Sequence, residues 1–180
     1  MSALADRFET TDGSGPDARA LDDEVARRLP LVAFAVLAGG DAFEGGSAPA
    51  DGRERAAAFV AARVRVERHR APRELAVRVR ERIATQLAGN PTLVARLSCA
   101  PPLMVDLVPE GGSFVALGFP AQVLERASGL FWGDKSWPTA RIALRCERID
   151  TEQLLVEHEV AHAVFALAFT KAEQEAAYAH

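Results

Sequence analysis

The stretch LLVEHEVAHAVFALAFT, residues 154 to 170, limits what this chain can fold into more than any other. Leu154, Leu155, Val160, Val164, Phe165 and Leu167 spread apolar groups around most of a helix. The spacing therefore predicts a helix buried on nearly every side. Such a helix is stable only when other elements are laid around it. Yet its run also holds His158, Glu159 and His162. Two imidazoles and a carboxylate inside a core need a partner that offsets their desolvation.

The rest of the chain sets the setting for that helix. Its 180 residues, 49% hydrophobic and 26% charged, match one soluble domain with a sizeable core. A net charge of -4 gives no global reason to expect nucleic acid as a partner. Cys99 and Cys146 are too few for a disulfide framework, which points to a reducing compartment. No apolar run is long enough to span a bilayer, so no membrane partner is expected. RRLPLVAFAVLAGG places arginines before a short apolar run, as export signals do. Pro30 interrupts that run, however, and Asp17, Asp22, Asp23 and Glu24 precede it. A cytoplasmic location is the expectation.

Residues 1–20, with TTDGSGPDAR, are polar and glycine-rich and are expected to be disordered. Residues 21–100 read as a mainly helical region, opening with a short helix from Leu21 to Leu29 and an apolar stretch to Ala38. From Arg53 to Ala88 the pattern predicts two helices broken at Pro72, with Gly89-Asn90-Pro91 ending the second. This pair carries ten arginines against four glutamates. A surface for an anionic partner is one reading. A solvated, partly ion-paired helix face is the stronger one, because only Phe59 interleaves the basic positions.

After Pro101-Pro102 the character changes. LMVDLVP, SFVALGF and RIALR are short, apolar and bounded by Pro or Gly, and each reads as a strand. Residues 101–180 thus form the second part of one domain. The fold class is α+β: N-terminal helices, a small mixed sheet with an edge strand, and the buried helix. Asp150 or Thr151 is expected to cap that helix, Asp150 with Gln153 as a capping box.

Four residues apart on a helix, His158 and His162 share one face and can point at one ion. Imidazole nitrogens at that spacing can both ligate Zn2+ at about 2 Å. Glu159, beside the first ligand, can reach a metal-bound water and act on it as general base.

Here the chain resembles the zincin metallopeptidases. RIALRCERIDTEQLLVEHEVAHAVF looks like that group's edge strand followed by its active-site helix. The resemblance spans about residues 103 to 170 and rests mainly on the H-E-x-x-H helix. ASGLFW, ARIAL and LLVEHEVAHAV look like lethal-factor-type and MtfA-type peptidases; HEVAHAVF with EQEAAYA looks like the ImmA/IrrE type. The metzincin extension is absent, since Phe165 and Thr170 stand near its Gly and His places. The resemblance implies a zinc hydrolase acting on a peptide or protein substrate. It also implies that Arg141, Ile142 and Ala143, as edge strand, bind an extended substrate backbone.

Zinc hydrolases of this kind use a third protein ligand. Glu173 has capping-box spacing from Thr170 and is expected to start the next helix. Glu175, in EQEAAYA, is the internal candidate that the ImmA/IrrE resemblance favours. An antiparallel return helix would bring a residue level with His162 only near 177 to 180, which keeps His180 open. The chain also stops within a helical pattern, so a truncated chain with its ligand beyond His180 is a further alternative. Cys146 reads as a small buried thiol rather than a ligand. Trp132 and Trp137, flanking GDKS, read as a hairpin covering the sheet, or else as a flap over a groove. Glu157 is expected to be solvated or paired with an arginine.

Two functions follow. One is a zinc metallopeptidase with His158 and His162 on the metal and Glu159 as base. The other is a catalytically weak or inactive zincin-like binding or regulatory module that uses its arginine-rich helices.

Overall fold

The computed structural model describes residues 50–119 and 127–178. The expectations for residues 1–20 and for Leu21 to Ala38 lie outside them. In chain order the elements are α1 (Ala50–Arg63), β1 (Val64–Glu67), α2 (Arg73–Ala88), α3 (Pro91–Ser98) and β2 (Leu103–Val108). A 3-10 turn (Val115–Leu117) follows, then β3 (Gly129–Trp132), β4 (Ala140–Arg145), α4 (Cys146–Ile149), α5 (Leu155–Ala168) and α6 (Lys171–Tyr178). Helices and a mixed four-stranded sheet make the α+β class.

The strands lie in the order β1-β2-β4-β3. β1 runs parallel to β2, and β2 parallel to β4, while β3 returns antiparallel to β4. One face of the sheet, with Leu103, Val105, Leu107, Ile142 and Leu144, meets α2, α3 and α5 in a core that also takes in Ala56 and Phe59 of α1. The other face is covered locally, where Phe114 and Phe119 pack with Val108 and Ala143. α1 and α2 approach closely at Gly52, where a Cβ would stand 2.5 Å from the Ala88 carbonyl oxygen.

Several sequence expectations are corrected. The first of the two helices stops at Arg63, well before Pro72, because Val64–Glu67 is a strand. Val64 and Val66 face the core while Arg65 lies exposed, a period of two that pairing with Leu103–Asp106 rewards. In SFVALGF the chain makes a 3-10 turn instead of a strand, closed by Gly118 at φ 86°. α3 was missed, although Asn90 and Pro91 carry its signal: the Asn90 side chain accepts from Leu93 N at 3.1 Å, and Pro91 takes the first helical position. α5 begins at Leu155 without a side-chain cap. Asp150 is instead bound by Arg78, and the Thr151 hydroxyl donates to the carbonyls of Glu147 and Arg148 at the end of α4.

The most consequential correction concerns RIALR. β4 is paired on both sides, by β2 and by β3, so Arg141, Ile142 and Ala143 do not form an edge strand. The edge next to α5 is β3, Gly129–Trp132. Among the described residues no helix is long and apolar enough to cross a membrane.

Candidate metal centre

α5 is buried along most of its length, as its sequence requires, with Val156, Val160, Ala161 and Val164 nearly inaccessible. Its N-terminal turn is tied down from α2. Arg82 grips the Glu157 carboxylate with two guanidinium nitrogens and donates to the Ile149 carbonyl at 3.1 Å. Gln86 donates to the Glu157 carbonyl at 2.9 Å. Glu157 is therefore an arginine-paired anchor immediately before His158.

His158 and His162 are half-buried, with ring centroids 4.7 Å apart and Nε2 atoms separated by 3.1 Å. Two nitrogens each about 2 Å from a tetrahedral zinc would stand about 3.3 Å apart. The same separation suits a hydrogen bond between one imidazole N–H and the other ring's lone pair. Burial pushes both rings below the usual histidine range, His162 to about 4 with a further contribution from His158. Both are thus neutral near pH 7, the form that ligates a metal.

Glu159 is one of two buried charged residues in the described part of the chain. Burial pushes its carboxyl up to about 8, opposed by a hydrogen bond from the Phe131 N–H. Among the described residues no arginine is bonded to it: Arg145 donates to the carbonyls of Ala127 and Gly112. The carboxylate lies against Gly129, where a Cβ would come 2.7 Å from Glu159 Cγ and 2.8 Å from Oε1. Beside it runs an open groove of about 550 Å3 lined by Ser128, Gly129, Glu152, Leu154, His158 and Glu159. β3 and α5 thus bring Glu159, His158 and a strand edge together.

The other sequence candidates lie elsewhere. Glu175 is exposed on α6 and stands 3.8 Å from Lys171, so it is not gathered with the histidines. The length of α5 contributes: it continues to Ala168, about 9 Å past His162, and Glu175 lies only four residues into α6, short of the level of His162. Tyr178, near the end of α6, has reached only Phe165, with ring centroids 5.6 Å apart. His180 lies outside the described residues. Glu173 does form the capping box with Thr170 and also pairs with Arg96. Cys146 opens α4 and its side chain packs on the main core, with burial pushing the thiol up. Trp132 and Trp137 meet edge to face at 5.8 Å, with Trp132 39% exposed on the edge strand. Among the described residues no three His, Cys, Asp or Glu side chains are arranged to hold a metal ion.

Sequence reasoning passed over a second buried carboxylate. Asp106 of β2 is 1% exposed and accepts from Arg141 Nη2 at 2.8 Å and Nε at 3.1 Å, while His69 Nε2 lies 2.7 Å from its other oxygen. Arg141 also donates to the Leu117 carbonyl and stacks over Phe119. This accounts for Arg141 and removes it from substrate binding. An acidic residue in the apolar run LMVDLV was the available signal. Protein-family models, characterised proteins and solved structures, compared with this chain, give no match.

Proposed function

We propose that the chain is a zinc-dependent metallopeptidase, with His158 and His162 as two metal ligands and Glu159 as general base. The observation that carries this reading is the meeting of the two Nε2 atoms, 3.1 Å apart, next to a buried carboxylate under a sheet edge. A bound zinc would supply a Lewis acid and a water of lowered pKa. The third protein ligand would come from outside the described residues.

The chain's own groups do the remaining work. The substrate is an extended peptide or protein segment laid along β3, whose outer backbone groups are those of Gly129 and Phe131. This follows from the Arg145 N–H bonding to the Ser128 carbonyl at 2.9 Å: in an antiparallel pair, alternate residues turn their N–H and C=O away from the neighbour. Glu159 takes a proton from the attacking water and returns it to the leaving amine. Arg82 and Gln86 hold the start of α5 so that His158 keeps its place. Main-chain pairing makes the substrate class peptide, in a cytoplasmic setting.

Zinc near one equivalent per chain, together with loss of casein hydrolysis in Glu159→Gln at unchanged zinc content, is the expected result. Zinc content unchanged in both His158→Ala and His162→Ala would end the metal assignment. The lack of a third ligand among the described residues favours a second reading, a binding module on the same scaffold. In that case zinc binds weakly and the parent protein leaves casein intact.

A further inference from the structure

The free edge of the sheet presents main-chain groups and side chains in a fixed alternation. The Arg145 N–H bonds to the Ser128 carbonyl at 2.9 Å, and the register carries hydrogen-bonded pairing on to Leu130–Ala143 and Trp132–Arg141. The N–H and C=O of Gly129 and Phe131 are left for a strand that adds to β3. Leu130 packs with the outer-face cluster and Phe131 with the main core, so Trp132 stands on the outer face with Leu130. Across that face Arg65, Met104, Arg141 and Trp132 lie in one row. Trp132 ends the row: Arg141 stands on one side of it, and among the described residues no strand follows on the other. Trp137 meets the exposed indole edge to face at 5.8 Å. Its turn is well tied. Asp134 accepts from the Ser136 N–H at 2.6 Å, the Trp137 N–H bonds to the Asp134 carbonyl at 3.2 Å, and Lys135 donates to the Phe169 carbonyl at the end of α5.

We propose that Trp132, braced by Trp137, selects peptides that carry an aromatic or large aliphatic side chain at the position opposite it. This rests on the reading of β3 as the substrate's docking edge and deepens it, by naming the substrate side chain that is read. A peptide added antiparallel to β3 makes its hydrogen-bonded pairs with Gly129 and Phe131. The residues opposite Leu130 and Trp132 then form the non-hydrogen-bonded pairs, in which Cα atoms approach to about 4.5 Å and side chains touch most closely. A large apolar side chain opposite Trp132 covers the open flank of the indole and removes apolar surface of both from water. A charged side chain finds no partner there. Arg141, the neighbour in the row, is already bound to Asp106 and to the Leu117 carbonyl, and Asp106 is spent on Arg141 and His69. The peptide residue opposite Gly129 points to the other face, where the groove holds Leu154, His158 and Glu159. Selection and the proposed chemistry thus use opposite faces of one bound strand, roughly 10 Å apart along it.

The test is an NMR titration of the metal-free full chain with blocked nonapeptides of serine and threonine that differ only at the central residue: phenylalanine, serine or lysine. The phenylalanine peptide is expected to shift the Trp132 indole N–H together with the amides of Gly129 and Phe131. It should do so at several-fold, up to about tenfold, lower concentration than the other two. Trp132→Ser should answer the phenylalanine and serine peptides alike, and Trp132→Phe should keep the preference, which a merely structural role for the indole would not produce. Trp137→Ala, which removes the brace, should weaken the preference and keeps the test decisive if Trp132→Ser does not fold. Equal responses of the parent to the three peptides, a preference for lysine, or a phenylalanine preference that survives in Trp132→Ser overturns the proposal. So does the absence of any shift at Gly129 and Phe131. Zinc content and casein hydrolysis of the parent are read separately. If these fail while the phenylalanine preference stands, the metallopeptidase reading falls and the selective peptide edge remains; if they hold while the preference is missing, the role of Trp132 alone falls.

Discussion

His158 and His162 place their Nε2 atoms 3.1 Å apart on one face of α5, in a site where burial holds both rings neutral. Protons therefore compete with a metal only at low pH. For ordinary imidazoles competition would begin near pH 6.5. With His162 at about 4 and His158 also lowered by burial, the fall in zinc affinity should begin at a lower pH than for two ordinary imidazoles. Competition against a chromophoric chelator at each pH checks this. A decline that starts above pH 6 would show that the pair is not desolvated as described.

Glu159 carries the opposite pH dependence. Its folded value of about 8 lies above the ordinary 4.5, so the folded metal-free protein holds a proton that the unfolded chain has lost between those values. Stability contributed by that proton is present below pH 4.5 and is lost as pH rises towards 8. Glu159→Gln removes the cost. The melting temperature of the metal-free variant should match the parent near pH 5 and exceed it progressively up to pH 8. At about 1.4 kcal/mol per unit of pKa, the gain amounts to a few kcal/mol. Scanning calorimetry at pH 5, 6.5 and 8 is the measurement, and a gap that does not widen would count against a buried ionisable Glu159.

Asp106 is the electrostatic pin of the sheet's outer face. Replacing it with Ala leaves the Arg141 guanidinium, bound only to the Leu117 carbonyl and stacked on Phe119, without its counter-charge. Removing one partner of a buried pair costs about 3 to 5 kcal/mol. Urea unfolding of Asp106→Ala should show a loss of that size with zinc stoichiometry unchanged in the folded fraction, since Asp106 lies on the face of the sheet away from α5. A loss below about 1 kcal/mol would show that the pair is screened like a surface salt bridge.

Glu175→Ala should leave zinc affinity within about twofold of the parent, because a non-ligand contributes nothing to the site. The residue is exposed and faces Lys171. The same chelator competition applies, and a loss comparable to that of His162→Ala would restore Glu175 as the third ligand.

The sequence by itself determined what depends on near neighbours along the chain. The buried helix with its two histidines on one face, β2 and β4 as strands, and the Thr170–Glu173 capping box all follow from local period and spacing. Tertiary structure decided what depends on which strand lies beside which. RIALR has the same residues whether it sits at an edge or between two neighbours; only pairing with LMVDLV on one side and GLFW on the other makes it interior. Val64–Glu67 becomes a strand rather than a helical turn because β2 supplies a parallel partner. Two ties were likewise settled between residues distant in sequence: Glu157 with Arg82, and Asp106 with His69 and Arg141. A buried carboxylate has to find a donor, and that need is visible in the sequence. Which donor it finds is fixed by backbone hydrogen bonding and side-chain packing that bring distant segments into one register.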